Sequence, residues 1–352
     1  QLTLVGYLLK KRSTSAETDF ALARYFQFMG TGLLLLSMGI LMLGWNYAHI
    51  HGNWQFDLFD LINTHIPVTI RSIIFFLLFY GLAVRIPLFP MHGWFPLVSE
   101  HGTVAIAGVF LIGLKVGVFG LIRFVFPLLP EAVVQWQIYV VAFASAGIFY
   151  AALLALLQVN LRRLLAFAVV SHTSIMIIGL FSLEHAAFQG SILLAVNFGL
   201  ATAGLLFVTG MIYRRTHTML LNKLGGLFDS IPLIGIGFLV AGLSIVDMPG
   251  TPGFDAAHLV LEAAIVRFGA LPSIVAALGN VVAAGFLLFA FQKVFLAPKD
   301  EKLPPLKVQG TLASERLLAG SLILILLISG FYSEPWMELI DASLQPLSAL
   351  FA

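Results

Sequence analysis

Cysteine is absent from all 352 residues. That excludes a disulfide framework and any cysteine-ligated iron–sulfur cluster, so electron-transfer chemistry belongs on another polypeptide. Charge is almost as scarce. Asp, Glu, Lys and Arg make up 10% of the chain, where a soluble domain carries about 25%. The net charge of +2 comes without a basic run interleaved with aromatics, which excludes the usual nucleic-acid surfaces. No phosphate-binding glycine loop, dinucleotide fingerprint or nucleophile elbow is found.

What remains is apolar: 60% of the residues are hydrophobic, with 31 Phe and 32 Gly. The fold class that fits is an all-α polytopic membrane protein. At about 20 apolar residues per crossing, spans fall at 20–46, 68–98, 102–128, 134–157, 161–182, 187–212, 230–265, 272–296 and 312–332. Residues 1–9 read as the end of a further span meeting Lys10, Lys11 and Arg12, which makes nine to ten transmembrane helices. Without an initiator Met or a signal peptide, the chain is expected to continue a longer one whose first helices lie upstream. The apolar tail from Glu334 to Ala352 carries Glu338 and Asp341 and is expected at the membrane interface.

Two spans are interrupted. In YGLAVRIPLFPMHGWFPLVSEH, Pro87, Pro90 and Pro96 remove backbone donors that lipid cannot replace, so the helix over 68–98 must break. In DMPGTPGFDAAH, Pro249 and Pro252 do the same to the span over 230–265. Each pair of prolines follows a charged residue, Arg85 or Asp247. Interrupted segments in corresponding positions point to inverted five-helix repeats, incomplete at the N-terminus, with sites at the breaks. The division this predicts is 1–129 for the rest of the first repeat, 130–297 for the second, and 298–352 for a loop, a last span and the tail. If each broken helix counts as one crossing, the basic loops share one side. Those loops hold Lys10, Lys11 and Arg12; Arg162 and Arg163; Arg214, Arg215 and Lys223; and Lys299, Lys302 and Lys307. The positive-inside rule makes that side cytoplasmic in a multi-pass protein of the cell (inner) membrane.

Ionisable residues at membrane depth mark function by default. Arg85 lies beside the first break and either faces a polar cavity or reaches to an interface. Lys115, in LIGLKVGVFGLIRF, is mid-span without polar neighbours; a lysine deprived of water can exchange a proton near neutral pH, the alternative being a structural ion pair. His92, His101 and His172 are relay members or hydrogen-bonded packing residues. Asn197 could support a water chain. Asp255, His258 and Glu262 are spaced by three and four on one helical face, as a proton-accepting cluster would be; a metal site lacks a closing ligand set. Asp247 is expected to pair with a Lys or Arg from a neighbouring helix. Gly108, Gly113, Gly117 and Gly120 read as close-packing surfaces.

The run VRIPLFPMHGWFPLVSEHG resembles an element of the antiporter-like membrane subunits of respiratory complex I, in which a lysine precedes a Pro-Leu-x-Pro-x-His-x-Trp-Leu-Pro stretch. LIGLKVGVFGLIRF, LRRLLAFAVVSHTSIMIIGLF, AGLLFVTGMIYRRTHT and MPGTPGF follow in family order and cover nearly the whole chain. The same motifs occur in multisubunit cation/proton antiporters, membrane-bound hydrogenases and inorganic-carbon uptake systems.

The resemblance implies a fourteen-helix fold with two inverted repeats, closer to the M-type (chain 4) subunit than to the L-type. It also implies a proton-translocating subunit of an NADH:quinone oxidoreductase, with protons crossing on buried Lys, His and acids. Arg85 matches the lysine of the first broken helix, Lys115 that of the next helix, and His172 a central-axis histidine. NADH, FMN, iron–sulfur clusters and quinone would bind partner subunits of a hetero-oligomer in the bilayer, with no cofactor on this chain. The competing function is a subunit of a cation/proton antiporter or of a bicarbonate/CO2 uptake complex. Three departures stand out: arginine at 85 is hard to deprotonate, Asn197 replaces a frequent His, and Ala257 occupies the customary carboxylate position.

Overall fold

Long apolar runs with few turn residues leave the backbone only its own carbonyls to bond, and the chain is correspondingly helical. The computed structural model describes residues 5–7, 9, 16–102, 113, 115–298 and 310–351. Lys10, Lys11, Arg12, Gly108, Lys299, Lys302 and Lys307 lie outside the described residues. The helices are α1 (Ala16–His51), α2 (Leu58–Ile62), α3 (Val68–Ala83) and α4 (Trp94–His101), then α5, which runs over 115–120 into a π turn at Leu121–Val125 and ends at Phe126–Leu128. They continue as α6 (Pro130–Leu156), α7 (Leu161–Ser182), α8 (His185–Thr216), α9 (Pro232–Ile245), α10 (Pro252–Phe268), α11 (Ala270–Phe291), α12 (Ala313–Phe331) and α13 (Glu334–Ser348). Among the described residues six helices are long and apolar enough to cross a membrane. The shorter apolar α3 and α9 are the leading halves of the two broken spans. The only extended pairing among the described residues is an isolated bridge between Asn160 and Leu220.

α7 is the axis of the bundle and is buried along its whole length. It packs against α6, α8, α4 and α10. The three hydroxyls in its run Ser171–Ser174 are satisfied: Ser171 donates to Ile148 O at 3.0 Å, and Thr173 and Ser174 donate to Val170 O. Hydroxyls bonded one turn back cost little inside an apolar bundle. α5 lies flush on the first break because Gly117 and Gly120 have no side chain. A methyl group at either would lie 2.4 Å from Ile86 Cγ1 or 2.6 Å from Leu82 Cδ2.

The described basic loops meet on one side. Asn160 pairs with Leu220, and Leu227 and Phe228 donate main-chain bonds to Val294 and Phe295. Arg215 reaches across to Glu315 at the start of α12. At the other end α13 lies on α8, where Gln189 donates to Met337 O at 3.0 Å and His185 Nε2 meets Asp341 Oδ1 at 2.6 Å.

Candidate functional site

The first break runs from Val84 to Gly93. Trp94 Nε1 donates to Val84 O at 2.8 Å, so the indole closes the gap that the prolines open. Arg85 is half-buried there, within electrostatic reach of the buried Tyr25, whose ring sits edge-on to Trp94 at 5.5 Å. His92 is buried among Phe89, Tyr150 and Phe167, and its Nδ1 has no hydrogen-bond partner. Lys115 is half-buried on α5, one turn before the buried Val118 and so on the same face.

His101 is placed apart from these residues. It ends α4, beside Glu100 and Gly102, which are tied to the basic loop: Asn160 Nδ2 donates to Glu100 Oε1 at 3.1 Å and Arg162 Nη1 to Gly102 O at 2.9 Å. The expectation of an intramembrane His101 is therefore corrected to a residue at the basic face, because α4 is only two turns long and ends there.

His172 is fully buried on α7, about 16 Å from the start of the helix at Leu161 by helical rise. That is near the middle of a hydrocarbon core about 30 Å thick. Its Nδ1 lies 2.8 Å from Ala168 O. A carbonyl can only accept, so Nδ1 carries the hydrogen and Nε2 of the neutral ring presents a lone pair. Nε2 is buried without a partner. His92 touches Phe167, which lies five residues before His172 on α7, about 8 Å along the helix axis.

The second break, between α9 and α10, holds a polar knot that sequence reasoning resolved only in part. Asn197 of α8 donates to Ser244 O at 2.8 Å, and Ser244 Oγ donates back to Asn197 Oδ1 at 2.5 Å. Asp247 is 7% exposed and in left-handed backbone at φ 55°. Its neighbour is the Asn280 amide of α11, with Nδ2 3.4 Å from Asp247 Oδ2. Among the described residues no Lys or Arg forms an ion pair with it, which corrects the expected pairing. The signal for Asn280 was available, since it is the lone polar side chain in ALGNVVAAG. Gly253 brings α10 against this knot; a Cβ there would sit 2.1 Å from Asp247 Oδ1 and 2.6 Å from Asn197 Nδ2.

Asp255, His258 and Glu262 do share a face, and His258 Nε2 lies 3.8 Å from Glu262 Oε2. That face is the outer one. The side chains of His258 and Glu262 are 73% and 69% exposed, and Asp255 accepts a hydrogen bond from Ser333. The inward face of α10 is Ala256, Ala257, Val260, Ala263 and Ala264. The expected one-face cluster is thus present and lies on the surface, because small residues on the opposite stripe let α10 press against α7 and α8.

The break is clamped from outside by α12. A methyl group at Gly330 would lie 2.4 Å from Gly250 O and 2.6 Å from Thr251 Cα, main-chain atoms that cannot swing aside. Gly330→Ala is therefore expected to cost about 1–3 kcal/mol by overpacking. The check is the thermal midpoint of the purified protein; a midpoint equal to that of the parent would show that the clamp yields freely.

Comparison with known proteins adds the following. Residues 2–284 match the family described as NADH:quinone oxidoreductase/Mrp antiporter, TM. NADH-quinone oxidoreductase subunit M of Pseudomonas aeruginosa is 30% identical over 341 residues, covering 95% of this chain and 64% of that protein. A chain of respiratory complex I from Thermus thermophilus, solved with bound NADH, superposes with a TM-score of 0.89 at 26% identity, covering 100% of this chain and 73% of that one. A chain of the Mrp complex from Dietzia sp. DQ12-45-1b gives 0.86 at 17% identity, a likeness of fold alone. The chain thus spans about two thirds of the length of the curated relatives it matches.

Proposed function

Since the chain belongs to the NADH:quinone oxidoreductase/Mrp antiporter membrane family, we propose that it carries protons across a bilayer as a membrane subunit of a complex I type NADH:quinone oxidoreductase. The observation that supports this reading is a set of polar side chains at membrane depth, gathered on the two breaks and on the buried helix between them. In this reading Lys115 is the proton carrier next to the first break. Arg85 is a permanent charge that sets how readily Lys115 holds its proton. His92 and His172 carry the path along α7, and Asn197 orients the polar groups of the second break.

The driving redox chemistry belongs to other subunits, which hold NADH, FMN, iron–sulfur clusters and quinone, and this chain holds its place among them as one member of a hetero-oligomer. The basic loops face the cytoplasm. The two breaks belong to inverted repeats, with 1–129 and 130–297 as their remaining parts.

The test is extraction of the native assembly in mild detergent and identification of the co-purifying chains. Subunits of a flavin- and cluster-bearing arm are the expected result. A set of small antiporter subunits, or a soluble zinc protein, would move the chain to the cation/proton antiporter or inorganic-carbon branch.

A further inference from the structure

We propose that Asp247 is a proton-binding station of this chain, exchanging its proton with His172 across the Asn280 side chain that lies against both. The proposal rests on the reading of the chain as a proton carrier and names an acid which that reading leaves unused.

Asp247 is the carboxyl group that the fold turns inward at the second break; Asp255 and Glu262, which follow it in sequence, are turned outward. Every element around it presents a group without charge: Ser244 from α9, Asn197 from α8, Gly253 from α10 and Asn280 from α11. Asp247 Oδ1 is buried with no hydrogen-bond partner. An ionised carboxylate held that way is costly, and a proton is the counter-charge that fits without a cation.

The neighbouring atoms point the same way. Asn280 lies against His172 as well as against Asp247, and its Oδ1 and the His172 Nε2 are both buried, facing each other without a well-formed hydrogen bond. Asn280 thus stands between the two titratable groups, its Nδ2 3.4 Å from Asp247 Oδ2 and its side chain against the His172 ring. Because Nδ1 of His172 is committed to Ala168 O, the lone pair on Nε2 is the one that can receive a proton. The step balances: the carboxyl O–H bond breaks, an imidazole N–H bond forms, the carboxylate gains the negative charge and the imidazolium the positive one. The left-handed backbone at Asp247, which aspartate tolerates better than most residues, accompanies its inward side chain.

The test uses the whole assembled complex in proteoliposomes. D247N keeps the shape and removes the exchangeable proton; it is expected to lower redox-driven proton uptake by about a hundredfold. D247E is expected to restore a measurable part. Reaction-induced infrared difference spectra of the same samples should contain a carboxylic C=O band that D247N abolishes and D247E moves, which a purely structural residue would not produce. Wild-type proton uptake in D247N would overturn the proposal. If D247N does not assemble, the band decides: a position unchanged in D247E overturns the proposal and a shifted one supports it. Absence of proton uptake in the parent complex, with Lys115→Ala no different from it, would instead remove the reading on which the proposal rests, and the proposal with it.

Discussion

Replacement of Lys115 by alanine is expected to leave an assembled complex that no longer moves protons. Removing a cation from membrane depth relieves a desolvation cost of several kcal/mol, so the variant should insert and pack at least as well as its parent. What it loses is the exchangeable proton, and positioned acid–base groups are worth about 10²–10⁴ in rate. Lys115→Arg sharpens the test, because arginine keeps the charge and the length but does not release a proton. If charge alone were needed, the arginine variant would work; if exchange is needed, it fails as the alanine variant does. The measurement is proton uptake by proteoliposomes per electron pair transferred. Unchanged uptake in both variants would take Lys115 out of the mechanism.

The largest stability effect is expected where α8 meets α12. Arg215 and Glu315 are paired with side chains only 5% and 9% exposed. Glu315 also accepts from Leu312 N at 3.0 Å, and Arg215 donates to Met211 O at 2.9 Å and Gly310 O at 3.0 Å. Glu315→Gln removes the counter-charge of a guanidinium whose side chain is 5% exposed, a change expected to cost up to about 3 kcal/mol. Arg214, whose guanidinium lies 3.6 Å from the same carboxylate, is 64% exposed and cannot take over the buried role. Arg215→Met combined with Glu315→Leu should recover part of the loss, since it removes both charges, although Leu312 N and the Gly310 carbonyl lose their side-chain partners. Thermal unfolding of the solubilised complex reads both. A Glu315→Gln midpoint no lower than that of the exposed Glu338→Gln control would mean that the pair contributes little.

The architecture was readable from the chain because proline and length act alike in any environment. Pro87, Pro90, Pro249 and Pro252 announced two breaks, and 20-residue apolar runs announced the intact spans. The small residues at 117 and 120 announced a close approach. Orientation of the polar residues was harder to read, for a physical reason. In a soluble helix the buried face is the apolar one, whereas a spanning helix is apolar toward lipid and toward its neighbours alike, so periodicity groups residues without saying which way the group points. Asp255, His258 and Glu262 were correctly put on one face, and that face proved to be the outer one. Asp247 was unreadable for a second reason. Its inward side chain accompanies a left-handed turn at a non-glycine residue, which no spacing rule encodes.

The enclosure of α7 beyond Arg163 separates His172 from the bilayer. A membrane that thins or thickens acts on helices whose flanks it touches, and here those are α1, α11 and α12. His172 would register such a change chiefly through α11, whose Asn280 lies against it. The sheath of α1 and α12 can therefore adapt to the lipid of the day, while the surroundings of His172 follow the movements of α11.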